Sequence, residues 1–253
     1  MNRLRALLFA IGAAGFALSS PFLLRTMEEA RLPFPPAALL ALQLVQSLVL
    51  VAVAAWGGAR LCGSVGLDAP WLRAIAEKRP GPPELAGMVI EALAAGSIAA
   101  VAARGIVPLS VWKPVEAGFW TRVSGAFYGG TVEEILLRWG LLTALMVLLR
   151  RAAGGAGFAG DGRSPQGAAL AGGDGFWPAN LGAALVFGAL HLPVLRLSGT
   201  PATAAAVAAV IGGNGVLGMT FGWLYRRRGL EAAMLAHGAA DVWLQGLLPA
   251  LLA

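Results

Sequence analysis

Seven stretches of this chain are long and apolar enough to cross a lipid bilayer as helices, which leaves few folds open to it. A spanning helix takes about 20 predominantly apolar residues, because no backbone N–H or C=O finds water in the hydrocarbon. Cut at its charged and Gly/Pro-rich breaks, the sequence meets that length over residues 6–24, 34–58, 85–103, 126–149, 178–197, 202–224 and 230–253. With 58% hydrophobic and 13% charged residues and a mean hydropathy of +0.73, the composition is far from that of a soluble domain, where about 25% of residues are charged. The expectation is one all-α domain over residues 1–253, a polytopic membrane helix bundle of seven transmembrane helices. An eighth enters if residues 104–125, with Pro108, Trp112, Pro114 and Trp120, hold a short helix instead of an interfacial segment.

The net charge of +6 comes from 17 arginines and 2 lysines that sit almost entirely between the apolar runs. There they meet lipid headgroups and set orientation, so the lipid bilayer is the expected partner and nucleic acid is not. Counted by alternate sides, 12 of them share the side of the N-terminus and 6 lie opposite, with Arg138 inside a span. The positive-inside rule then puts the N-terminus in the cytoplasm and, after seven spans, the C-terminus outside. The first run resembles a secretory signal, with Arg3 and Arg5 ahead and Ser19 and Ser20 near its end. It continues through Pro21 to Leu24, however, so a retained helix is expected over a cleaved signal. Residues 151–176 are Gly-rich and read as a flexible loop, and Cys62, being alone, excludes an internal disulfide.

Against this background the ionisable residues inside the runs stand out. Each charged residue near a bilayer centre costs roughly 2.5–3.5 kcal/mol on insertion scales, so Glu133, Glu134, Arg138 and Asp241 together represent on the order of 10 kcal/mol before pairing. In the fourth run Gly125, Gly129 and Glu133 follow at four-residue steps, which on an α-helix puts two positions without side chains on the face of the first carboxylate. Glu134 points about 100° away and meets Arg138 at i,i+4, the spacing of a carboxylate–guanidinium pair. These two read as structural partners, and Glu133 is left without one in its own helix. In the fifth run Phe187 and His191 share a face, with Pro193 ending or bending the helix nearby. In the seventh, His237 and Asp241 share a face, and a carboxylate one turn away can fix the tautomer of a histidine. His191 and His237 are the only two histidines of the chain. Read lengthwise, the spans put Glu133 and His191 toward the outer side and His237 nearer the cytoplasm, which sits awkwardly with a common site. Elsewhere, Glu91 in the third run reads as a pairing partner at least as well as a gate. Asn214, set among glycines, suits a hydrogen bond between helices, and Trp56, Trp177 and Trp223 suit the interface.

Taken together, EEILLR at 133–138, FGALH at 187–191 and HGAAD at 237–241 form the ordered pattern EExxxR, FxxxH, HxxxN/D. In this the chain resembles the CAAX-protease and bacteriocin-processing (Abi) family of intramembrane peptidases, over residues 119–241. Leu137 and Trp139 replace the Phe and Gly common around the arginine, and Asp241 stands where many members have Asn. The resemblance implies a core of about 119–253 in which Glu133 and His191 activate a water, while His237 and Asp241 polarise the carbonyl or hold the tetrahedral oxygen. Glu134, Arg138 and Phe187 would support the site. The family is described both as metallo- and as glutamate-dependent, and Glu133, His191 and His237 also make a three-ligand set for Zn²⁺ with an open position, so no cofactor is assigned beyond that alternative. The expected substrate is a membrane-associated peptide or protein. The Ala/Gly/Arg-rich composition points to a bacterial inner (plasma) membrane. Two rivals stand beside the peptidase: an ion- or proton-coupled transporter, although no paired broken helices are legible, and a non-catalytic bacteriocin-immunity or scaffold protein.

Overall fold

The computed structural model describes residues 2–108, 111, 114–152, 175–193, 195 and 199–252. Among these every regular element is helical and no strand occurs. In chain order the helices are α1 (Asn2–Glu29), α2 (Pro36–Leu61) closed by a 3₁₀ turn at Cys62–Val65, α3 (Pro70–Glu77) and α4 (Leu85–Ile106). Then α5 (Phe119–Phe127) runs through π-helical segments at Tyr128–Glu133 and Ile135–Leu142 into α6 (Thr143–Ala152). After α7 (Phe176–Leu190) and α8 (Ala204–Arg228), α9 (Leu230–Asp241) passes through a π segment, Val242–Leu247, into α10 (Leu248–Leu252). Four helices are long and apolar enough to cross a membrane unaided: Asn2–Glu29, Pro36–Val65, Leu85–Ile106 and Ala204–Arg228.

Local chemistry explains the elements. Pro21 lies inside α1 and has no N–H to give to the Ala17 carbonyl, but the Ser20 hydroxyl donates to that oxygen at 2.8 Å, so the helix continues. Pro36 starts α2, where a missing N–H costs nothing, and Gly66 in the left-handed region (φ 73°) ends the 3₁₀ turn behind it. Because lipid is as apolar as leucine, helices in a bilayer associate through close packing of small residues. Gly96 of α4 lies so near Ala236 of α9 that an added Cβ would come within 2.8 Å of the Ala236 carbonyl carbon. Gly188 of α7 sits as tightly against Ile211 of α8, and Gly218 of α8 against Ala184 of α7.

Charges close one end of the bundle. Glu91 of α4 pairs with Arg227 and, at 2.6 Å, with Arg228 at the end of α8, while Glu84 takes a second nitrogen of Arg228. Glu231, buried at the start of α9, accepts from the Leu72 N–H at 2.6 Å and so satisfies one of the orphan donors of the first turn of α3. Arg73 of α3 is held by Asp68 at 2.6 Å, and that hydrogen bonding keeps its guanidinium above its ordinary range.

Several expectations change. The fourth span is not a plain helix over 126–149 but an irregular run that begins at Phe119 and ends at Ala152. The fifth helix stops at Leu190, not near 197, with His191 at its cap. In the segment expected at the interface, Trp120 is 80% exposed, while Trp112 lies outside the described residues. Most of the expected loop at 151–176 falls outside them too. Asn214 does not reach a neighbouring helix, because its side-chain N–H donates to the Val210 carbonyl one turn back.

Candidate active site

The site grows from the first π segment. A π turn closes i→i+5 hydrogen bonds, carries an extra residue per turn and recurs at functional positions. Here it separates residues that a regular helix would align: Gly125 packs on the Phe22 ring of α1, while Gly129 turns toward α9. The absence of a side chain at Gly129 is required, since an added Cβ would stand 2.7 Å from His237 Nε2 and collide with Asp241 Oδ2. Gly130 likewise presses on the Met234 carbonyl. Two glycines thus bring α9 against the helix that carries both glutamates.

At that contact His237, 3% exposed, is gripped from every side. Its Nδ1 lies 2.6 Å from Glu134 Oε1. The same Oε1 is 3.0 Å from Arg138 Nη1, and Arg138 Nη2 donates to the Gly218 carbonyl of α8 at 3.1 Å. Glu134 and Arg138 are fully enclosed. A carboxylate can only accept, so His237 donates from Nδ1, and its Nε2 is the nitrogen turned toward the partly exposed residues. That Nε2 is 3.7 Å from Glu133 Oε2 and 3.7 Å from Asp241 Oδ2. Phe221 of α8 stacks on the imidazole with centroids 4.5 Å apart and planes 21° apart, and Phe187 meets its edge at 5.5 Å. The Arg138 guanidinium lies 5.0 Å from the Phe187 ring and 5.2 Å from that of Phe221. Two aromatic rings therefore flank both the arginine and the histidine, with Glu134 bridging the guanidinium and the imidazole.

His191 stands at the rim. Its Nδ1 is 2.8 Å from the Phe187 carbonyl, and since a carbonyl only accepts, Nδ1 carries the proton and Nε2 keeps a free lone pair. Its ring packs edge-on against Phe187 at 4.6 Å. Among the described residues no hydrogen bond or ion pair joins it to Glu133; its link to the group is the Phe187 ring, which meets both imidazoles edge-on. The irregular run starts at Phe119, not at 126, and Glu133 and His237, which the sequence placed at different depths, approach to 3.7 Å.

The structure thus brings Glu133, Glu134, Arg138, Phe187, His237 and Asp241 together, with His191 beside them. Glu134 does more than pair with Arg138, because the oxygen that faces the arginine also holds His237. Phe221 and Gly129 complete the site. Phe221 lies in an ordinary apolar run that gives no signal, and Gly129 was legible only as a small residue on the row ending at Glu133. Among the described residues no three His, Cys, Asp or Glu side chains are arranged to hold a metal ion.

Fold and site together define an integral membrane protein whose helices enclose a buried carboxylate–imidazole centre. The family model for type II CAAX prenyl endopeptidases, Rce1-like, matches residues 115–243, just over half of the chain, and the chain belongs to that family of proteases. The matched segment runs from just before α5 to just beyond Asp241, so it contains every residue of the centre. No curated protein and no solved structure has significant similarity to the chain.

Proposed function

We propose that the chain is an intramembrane endopeptidase of seven spanning helices that cuts membrane-associated peptides or proteins, CAAX-like or other, in a bacterial inner membrane. To the four long helices this reading adds the irregular run at 119–152, α7, and α9 with α10. The observation that carries the chemistry is His237 Nε2, set 3.7 Å from a carboxylate oxygen of Glu133 and 3.7 Å from one of Asp241. Two carboxylates thus converge on one imidazole nitrogen flanked by the rings of Phe187 and Phe221, an arrangement suited to holding a water for hydrolysis.

The steps follow from the proton positions. A water held between Glu133 and the free Nε2 of His191 gives its proton to the carboxylate and attacks the scissile carbonyl carbon. The carbonyl oxygen becomes an oxyanion, which needs a donor. His237 supplies one only when doubly protonated, because Nδ1–H is already committed to Glu134. Three carboxylates, Glu133, Glu134 and Asp241, surround it against one guanidinium, Arg138, so the centre has room for a second positive charge. When ionised, Asp241 acts only through His237, since a bare carboxylate cannot donate. As the tetrahedral intermediate collapses, the proton held by Glu133 passes to the leaving amine. Glu134 is a positioning residue that fixes the imidazole, and no step runs through a metal.

The test is cleavage of a prenylated CAAX peptide and of a membrane-peptide library by the purified chain in lipid nanodiscs. Native protein should cleave, with Glu133→Gln and His191→Ala slower by about 10²- to 10⁴-fold. A chelator should leave the rate unchanged; a rate lost to the chelator and restored by zinc would put a metal at the centre. If native protein and both variants behave alike, the chain acts as a scaffold, an immunity protein or a transporter.

A further inference from the structure

Lipid covers apolar side chains without cost, so the exposed leucines and valines of the outer helices say nothing about partners. An exposed amide at bilayer depth does. Gln46 is the eleventh of the 26 residues of α2, about 15 Å along the helix at 1.5 Å per residue. Its side chain is exposed and, among the described residues, has no hydrogen-bond partner. The neighbouring hydroxyls are all satisfied. Ser47 meets Tyr128 with hydroxyl oxygens 3.3 Å apart, and the lipid-facing Ser20 and Ser97 donate to carbonyls of their own helices at 2.8 Å.

Gln46 does not stand alone on its face. Leu42, Val45, Val49 and Val53, each more than half exposed, recur around it at three- and four-residue steps. The opposite face buries Ser47, Val51, Ala54, Ala55 and Gly58 against the rest of the bundle. A seam of β-branched residues interrupted by one amide is the pattern by which helices pair in a fixed register.

We propose that this stripe docks a second copy of the chain, α2 against α2 about a two-fold axis along the membrane normal, with the two Gln46 amides paired across it. A carboxamide both donates and accepts, so an isologous contact satisfies both copies at once. The stripe also runs along much of a spanning helix, a length that a helix of equal length covers and a short extended peptide does not. Such a dimer is independent of any catalytic role.

The experiment uses the full chain in lipid vesicles over a range of protein-to-lipid ratios. In a Cys62→Ala background, oxidation of Val49→Cys should give a covalent dimer, and Ile98→Cys, equally lipid-facing on α4, should not. Gln46→Leu should raise the dimer dissociation constant by about threefold to tenfold, the range of one interhelical hydrogen bond in lipid. Gln46→Asn, which keeps the amide, should lie between the two. A chain that stays monomeric at every ratio, a Val49→Cys variant that forms no dimer, or a Gln46→Leu variant that dimerises like the parent overturns the proposal. So does cross-linking of Val49→Cys to an added membrane peptide in place of a second copy, which would give the face to substrate.

Discussion

The outer helices and the site helices solve the same problem in opposite ways. In α1, α2, α4 and α8 the backbone is regular, apolar side chains face lipid, and the helices approach through glycine and alanine. In the runs at 119–152 and 230–252 the helix is interrupted by π segments, and those runs carry Glu133, Glu134, Arg138, His237 and Asp241. Regular helix is enough where the only task is to fill and anchor. Where five ionisable groups must converge, the backbone departs from the α period beside each cluster, at 128–133, 135–142 and 242–247. Irregular backbone therefore marks chemistry in this molecule better than hydropathy does.

Substitutions sharpen that contrast, and the largest effect belongs to Glu134. Glu134→Ala leaves Arg138 and His237 buried without their common partner, and should lower stability by about 3–5 kcal/mol as well as abolish cleavage, read from thermal unfolding in detergent and from peptide turnover. Gly129→Ala should come next, with overpacking of about 1–3 kcal/mol and a loss of activity greater than the loss of folded protein, because the new methyl lies against His237 and Asp241. Phe221→Leu should keep the fold but lower kcat about tenfold with KM unchanged, since the stacked ring acts on His237 and not on bound peptide. Smallest of all, Glu91→Gln, in the partly exposed charge group at one end of the bundle, should cost under about 1 kcal/mol and leave turnover intact. If Glu91→Gln silenced the enzyme while Gly129→Ala did not, the division between anchor and site would fail.

Much of this was legible in the residues. The apolar runs gave the membrane class and the four long spanning helices because hydrocarbon imposes length and composition directly. Glu134 with Arg138, and His237 with Asp241, were readable at i,i+4 because such pairs depend on a single turn. What spacing cannot carry is a contact between distant helices: nothing near Glu134 announces that its oxygen reaches His237, 103 positions away, or that Phe221 lies over that imidazole. The π segments were hidden for a related reason. An i→i+5 turn is chosen by what packs outside it, here Gly129 and Gly130 against α9, and Gly-rich apolar sequence fits an α-helix equally well. Glu91 was read as a pairing residue or a gate, and only the arrival of Arg227 and Arg228 from the end of α8 distinguishes them.

The π turn at Tyr128–Glu133 also has a consequence for how the protein tolerates change. It holds one more residue than an α-helical turn needs, so a single deletion inside it would be absorbed by tightening to the commoner helix, and the membrane anchor would survive. The flanking helices would keep their mutual orientation, and only the residues of the turn itself, Gly129 and Glu133 among them, would be re-aimed relative to α9. The alignment of the site is thus a matter of counting: a chain shortened by one position would insert, fold and persist in the membrane with its carboxylate and imidazole no longer facing each other.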